Sequence, residues 1–123
     1  MRLPFVDDSF DLALSITSIK HWPDPVQGMR EVLRVLRPGG RFFVGEVNQE
    51  AAAWEAGHFV RALGVPPILR RPVGRMFRRF VLPTGWTSND AQNTAASLGL
   101  ADCRVQRMNV PPLVAVIGTK PRR

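Results

Sequence analysis

The sequence predicts an α/β fold built on a largely parallel sheet. Three observations carry this prediction. An apolar run of strand length, Phe10–Ile16, precedes a stretch with apolar residues at helical spacing, and a second strand-like run follows at residues 41–47. The turn before that second run, Pro38-Gly39-Gly40, ends the helix between the two strands. Strand, helix, glycine turn and strand form a right-handed crossover, the unit that joins parallel neighbours.

Each element has a local cause. The run Phe10–Ile16 suits a strand of the kind that a complete parallel sheet covers on both faces, and residues 17–22 form the loop at its C-terminal end. Asp24 is a helix N-cap, Pro25 takes the first helical position and Gln27 completes a capping box. Val26, Met29, Leu33 and Leu36 share one helix face, while Arg30, Glu31, Arg34 and Arg37 share the other. Residues 51–63 read as helical, Val65-Pro66-Pro67 interrupts, and residues 70–82 form a second, strongly basic helical candidate. Pro83-Thr84-Gly85-Trp86 is a turn. Thr87 or Ser88 caps a helix that reaches Leu98 and closes at Gly99. Residues 102–110 and Leu113–Thr119 are final strands, antiparallel across Pro111-Pro112, and residues 121–123 are a frayed tail.

Composition narrows the class. At 123 residues and 45% hydrophobic, the chain supports one small globular domain. No apolar run reaches the ~18 residues of a bilayer span, and two early acidic residues, Asp7 and Asp8, are wrong for a signal peptide. The lone Cys103 cannot form an internal disulfide and reads as a small hydrophobe, which points to a reducing cytoplasm. The two histidines and one cysteine show no metal-ligand spacing, so no metal is expected. The net charge of +7 suits nucleic acid, an anionic membrane surface, an acidic substrate, or an arginine-rich solvated face. No recognised nucleic-acid module accompanies the arginines, which argues against nucleic acid.

The run Leu3-Pro4-Phe5-Val6-Asp7-Asp8-Ser9-Phe10-Asp11, with Leu36-Arg37-Pro38-Gly39-Gly40 at its fixed distance, resembles the middle of class I S-adenosylmethionine (SAM)-dependent methyltransferases of the small-molecule branch. The clear resemblance covers roughly residues 2–47; residues 85–120 fit in pattern only. It implies a Rossmann-like methyltransferase sheet truncated to strands four, five, seven and six with flanking helices, lacking the half that carries the glycine-rich loop. It also implies SAM as cofactor and methyl transfer to a small-molecule or lipid-like acceptor. Ser15, Ile16 and Thr17 would lie beside the cofactor or acceptor, and His21 would be the general base, or would only order its loop. Trp22 reads as a lid over the core. Asp7, Asp8 and Ser9 read as turn residues. No G-x-G-x-x-G pattern occurs, so the cofactor carboxylate has no backbone cradle in this sequence. Met1 would be an ordinary internal residue at its place in the family pattern.

Three parts follow from this reading: a strand-helix-strand core at residues 1–47, an inserted basic cap at 48–87, and a helix with two closing strands at 88–123. Phe10, Leu12, Leu14 and Ile16 would expose an open sheet edge and face, which predicts a homodimer or a partner chain. Arg61, Arg70, Arg71, Arg75, Arg78 and Arg79 interleave with apolar residues in the cap, which suits an anionic or lipid-like acceptor or peripheral membrane contact. The competing readings are a non-catalytic interaction module and a basic membrane-associating domain. Activity of the isolated chain would be impaired.

Overall fold

The structure, a computed structural model, describes residues 2–109 and 111–122, and of Lys20 only the backbone. Met1, Val110 and Arg123 lie outside the described residues, as do the expectations placed on them: Met1 as an internal residue, Val110 as a strand end and Arg123 in the tail. In chain order the elements are β1 (Phe10–Ile16), α1 (Pro25–Val35), β2 (Leu36–Val47), α2 (Ala53–Ala62), α3 (Pro67–Met76), α4 (Ser88–Leu98), β3 (Ala101–Met108) and β4 (Leu113–Thr119).

The strands form one sheet in the order β1-β2-β4-β3. β1 and β2 run parallel, and β4 is antiparallel to both its neighbours. This is the order implied for strands four, five, seven and six. Pairing puts Ala13, Phe42 and Gly118 in one row and Ser15, Val44 and Val116 in the next. Helices α1 and α4 cover this face. Met29, Phe42, Val44, Ala91, Val114 and Val116 form its core, each at most 2% exposed. Burying each large side chain contributes about 1.5–3 kcal/mol. The opposite face is bare near β1, where Leu12 is 59% and Leu14 63% exposed.

α1 begins as expected, with Asp24 Oδ1 accepting from the Gln27 N–H at 3.2 Å. Its end differs. The helix stops at Val35, and Leu36 is already extended and fully buried. Proline disfavours the helical region for the residue before it, so Pro38 unwinds the chain ahead of the glycines. Residues 36–40 then join β2, and the register shifts between Phe10↔Leu36 and Leu12↔Arg41. Gly39, at φ 81°, serves this bulge and not the helix cap. Val26, placed on the apolar face with Met29, Leu33 and Leu36, is 41% exposed.

The polar face of α1 is covered around Glu31 and Arg34, while Arg30 and Arg37 stay exposed. Arg34 donates to Asp7 (2.6 Å), Glu31 (2.8 Å) and the carbonyls of Phe5 and Leu3 (2.9 and 3.0 Å). Glu31 accepts from the Leu3 N–H at 2.9 Å. The Leu-Pro-Phe segment is thereby strapped along the helix, and Asp7 is structural.

The cap starts earlier than its arginines suggested. α3 opens at Pro67, with proline at its first positions, and a π-turn at Phe77–Val81 and a 3-10 turn at Leu82–Thr84 follow. α4 has the expected cap: Thr87 accepts from the Asp90 N–H at 3.1 Å, Asp90 accepts back at 3.0 Å, and Gly99 closes the helix at φ 63°. Cys103 on β3 is exposed, not a buried hydrophobe. An alternating, largely polar strand such as β3 holds few positions against the core.

Candidate functional site

β1 and β2 end side by side, and the chain leaves both at the same edge of the sheet. Thr17 follows β1 and donates its N–H to Gly45 on β2 at 2.8 Å. Its φ of 53° is left-handed, a costly conformation for a β-branched residue. Held strain at the C-terminal edge of a parallel sheet is a mark of a binding position. Beyond it, Ile19 is 1% exposed and pins the loop into the core. His21 and Trp22 donate their N–H groups to Ser18 and Ile19, both at 3.0 Å. These backbone bonds and the buried Ile19 side chain order the loop. Trp22 packs against the core, as a lid would.

The four residues singled out from sequence divide among three cavities. Ile16 and Thr17 line one of about 220 Å³ with Val47, Phe59, Phe77 and Leu113. His21 lines a wider, open one of about 400 Å³ with Phe80, Val81 and Thr84. The two share a wall: the π-turn Phe77–Val81 contributes Phe77 to one and Phe80 and Val81 to the other. π-turns of this kind recur at functional sites. The Phe59 and Phe77 rings lie 5.4 Å apart and join α2 to that wall. Ser15 points to the opposite face of the sheet, into a small cavity of about 90 Å³ beside Trp22. Its Oγ is buried and finds no hydrogen-bond partner among the described residues.

Sequence reasoning missed Asn48 and Glu46. Asn48, 0% exposed, follows β2 directly, and its Oδ1 accepts from the Glu50 N–H at 3.0 Å. Its Nδ2 is buried without a partner among the described residues. Glu46 is 1% exposed and pairs with Val114 in register. The available signal was position: polar residues at the C-terminal end of an otherwise apolar strand. At the same edge Glu50 accepts from the Ser88 N–H at 2.6 Å, and this bond holds its carboxyl below the usual range. No group of three metal-ligating side chains converges among the described residues.

The residues present fit part of a cofactor such as SAM. The Ser15 Oγ and the Asn48 Nδ2 are buried polar atoms without hydrogen-bond partners among the described residues, and the Ile16–Thr17 cavity offers an apolar wall. Phosphate- or carboxylate-cradling glycine loops are not found in the 123 residues.

Comparison with known proteins agrees with this architecture. Residues 1–44 match the methyltransferase domain family. Methyltransferase GfsG of Streptomyces halstedii is 53% identical over 47 residues, 38% of this chain and 17% of GfsG. The phthiotriol/phenolphthiotriol dimycocerosates methyltransferase of Mycobacterium tuberculosis is 46% identical over 57 residues, 45% of this chain and 21% of that enzyme. The matched stretch thus spans about a fifth of these relatives. A crystal structure of a SAM-dependent methyltransferase from Thermotoga maritima, possibly a histamine N-methyltransferase by its name, superposes at a TM-score of 0.63 with 21% identity. It covers 97% of this chain and 60% of its own. By sequence over residues 1–44 the chain resembles the methyltransferase domain family, and over almost its whole length it shares the fold of the SAM-dependent methyltransferase from Thermotoga maritima.

Proposed function

We propose that this chain serves SAM-dependent methyl transfer to a small, apolar or lipid-like acceptor. The observation that carries the acceptor class is the cavity at the end of β1 and β2, walled by Ile16, Val47, Phe59, Phe77 and Leu113. An apolar lining favours an apolar body. SAM, when bound, supplies a methyl group activated on a sulfonium. In this reading Ile16 and Thr17 bound the cofactor or acceptor, the unpartnered Ser15 hydroxyl is available to the cofactor, and His21 takes the proton that an acceptor O–H or N–H gives up. Residues 1–47 form the catalytic core, 48–87 the acceptor cap and 88–123 the closing helix and strands. Holding the reactants together supplies most of the rate gain. Within these 123 residues the cofactor carboxylate lacks a glycine-rich cradle, so the isolated chain binds SAM weakly. The lone cysteine suits a reducing cytoplasm.

The test is a calorimetric titration of SAM and S-adenosylhomocysteine into the folded 123-residue chain. Saturable binding that His21→Gln leaves intact while methyl transfer falls supports the reading. Absence of binding by a folded sample removes the catalytic role for this chain alone.

A second reading rests on the bare face and free edge of β1, with Leu12, Leu14 and Ile16 exposed. Here the chain is an interaction module that pairs with a second copy or another protein through that edge. A monodisperse monomer in light scattering at micromolar concentration counts against it. Peripheral membrane contact through Leu69, Met76 and Phe80, all exposed on the cap, is a feature of either reading.

A further inference from the structure

Between α2 and α3 lies a cleft of about 370 Å³, separate from the cavities at the strand ends. Arg70, Arg71, Arg75 and Arg78 line it, opposite small residues of α2. Arg71, Arg75 and Arg78 stand at positions i, i+4 and i+7, so three guanidinium groups share one face of the cap. None of the three has an anionic partner among the described residues. Arg70 is fixed in place, because its Nε donates to the Val65 carbonyl at 3.0 Å.

The acids that could neutralise this face are turned elsewhere. Glu55, the one carboxylate of α2, is 4% exposed, accepts from the Ala52 N–H at 3.2 Å and pairs with Arg107 at 3.4 Å. Like charges at these spacings repel, so the arrangement costs stability unless an anion fills it. The cleft is also kept open. A Cβ added at Gly57 or Gly74 would meet nothing within 4 Å, and glycine within a helix is otherwise unfavourable. The volume exceeds that of a bare phosphate and leaves room for an attached group.

Guanidinium forks match the oxygens of phosphate in pairs, and several of them select a doubly charged group over a single carboxylate. We propose that this cleft binds a phosphate-bearing ligand, a phosphomonoester or pyrophosphate group, held by Arg70, Arg71, Arg75 and Arg78. This assignment does not depend on methyl transfer. The phosphate belongs either to a soluble ester or to a lipid headgroup.

The experiment is a titration of the full chain with pyrophosphate, beside sedimentation with phosphatidylcholine vesicles with and without phosphatidic acid. The expected result is saturable binding of at least one probe. R71Q/R75Q/R78Q should weaken it at least tenfold. R41Q/R104Q, which removes charge from the sheet face, should change it less than twofold. Gly57→Leu keeps every arginine and fills the cleft, so it should also abolish binding, which separates the cleft from bulk charge and from a folding defect in the triple variant. Pyrophosphate binding identifies the soluble source, and binding to phosphatidic acid vesicles alone identifies the headgroup. No binding of either probe, equal losses in the two arginine variants, or full binding by Gly57→Leu would overturn the proposal.

Discussion

The Lys120 ammonium lies 2.9 Å from Asp8 Oδ1 and 2.8 Å from the Leu36 carbonyl. One side chain just past β4 thus ties the turn that opens β1 to the residue where α1 becomes β2. The pair is partly exposed, so the ionic part is worth about 0.2–1 kcal/mol. The carbonyl bond adds about 1 kcal/mol. Lys120→Met should therefore lower stability by about 1–2 kcal/mol in urea denaturation, and Asp8→Asn by less than about 1 kcal/mol.

Acid should loosen the strap on α1 in a defined window. Hydrogen bonds from Arg34 first, and from the Leu3 N–H, hold the Glu31 carboxyl at about 2, down from its ordinary 4.5. The same contacts push the Arg34 guanidinium upward, so it stays charged. A depressed carboxyl stabilises the fold above the unfolded value and loses that contribution as pH falls through the folded one. The strap's contribution should be complete above pH 4.5 and fade towards pH 2. Glu31→Gln should remove this slope, as read by urea midpoints across that range. An unchanged slope in the variant would refute the assignment.

Thr17 should show a trade between stability and binding. A left-handed non-glycine residue costs about 1–2 kcal/mol. Thr17→Gly removes that strain and the methyl wall of the cavity together. It should raise stability by up to about 1 kcal/mol, because glycine also gains freedom in the unfolded chain. Ligand affinity at the strand ends should fall. Denaturation and SAM titration on the same variant measure the two effects.

Much of the fold was legible because it is set locally. Asp24, Pro25, Thr87 and Gly99 each satisfy a helix terminus with their own chemistry, and the alternation of β1 fixes which residues face out. The end of α1 was misread because two signals overlap: Leu36 continues the helical spacing, while Pro38 excludes the helix before it. The site was only partly legible. Ser15, Ile16, Thr17 and His21 are consecutive or nearly so, yet strand alternation sends Ser15 to the other face. Phe77, Phe80 and Val81 reach the site only through the way α2 and α3 fold back, which no local pattern records. Glu46 and Asn48 gave no signal beyond being polar at a strand end.

Gly85 and Gly57 should respond oppositely to alanine. A Cβ on Gly85 would collide with the Val47 carbonyl, which also accepts from the Trp86 N–H at 2.8 Å. Gly85→Ala should cost about 1–3 kcal/mol through the forced shift. Gly57→Ala meets open space on a helix and should stabilise by up to about 1 kcal/mol. Thermal unfolding of both variants is the check.

His21→Gln should cut methyl transfer by about 10²–10⁴-fold if His21 is the base. Among the described residues its side chain makes no hydrogen bond or ion pair that glutamine would break, so the unfolding midpoint should stay put. Steady-state rates with the acceptor in excess, read beside thermal unfolding, make the comparison.

The position of β4 has a consequence for how the chain is made. Of the four strands it is the last to be synthesised, yet it lies between β2 and β3. Until it leaves the ribosome, β2 has only β1 beside it, β3 has no partner at all, and the inner face has no floor. Sequence-distant pairings such as Phe42 with Gly118 must then close late and slowly. Apolar surface and strand edges uncovered during that interval are the ones most exposed to aggregation, whatever the stability of the finished fold.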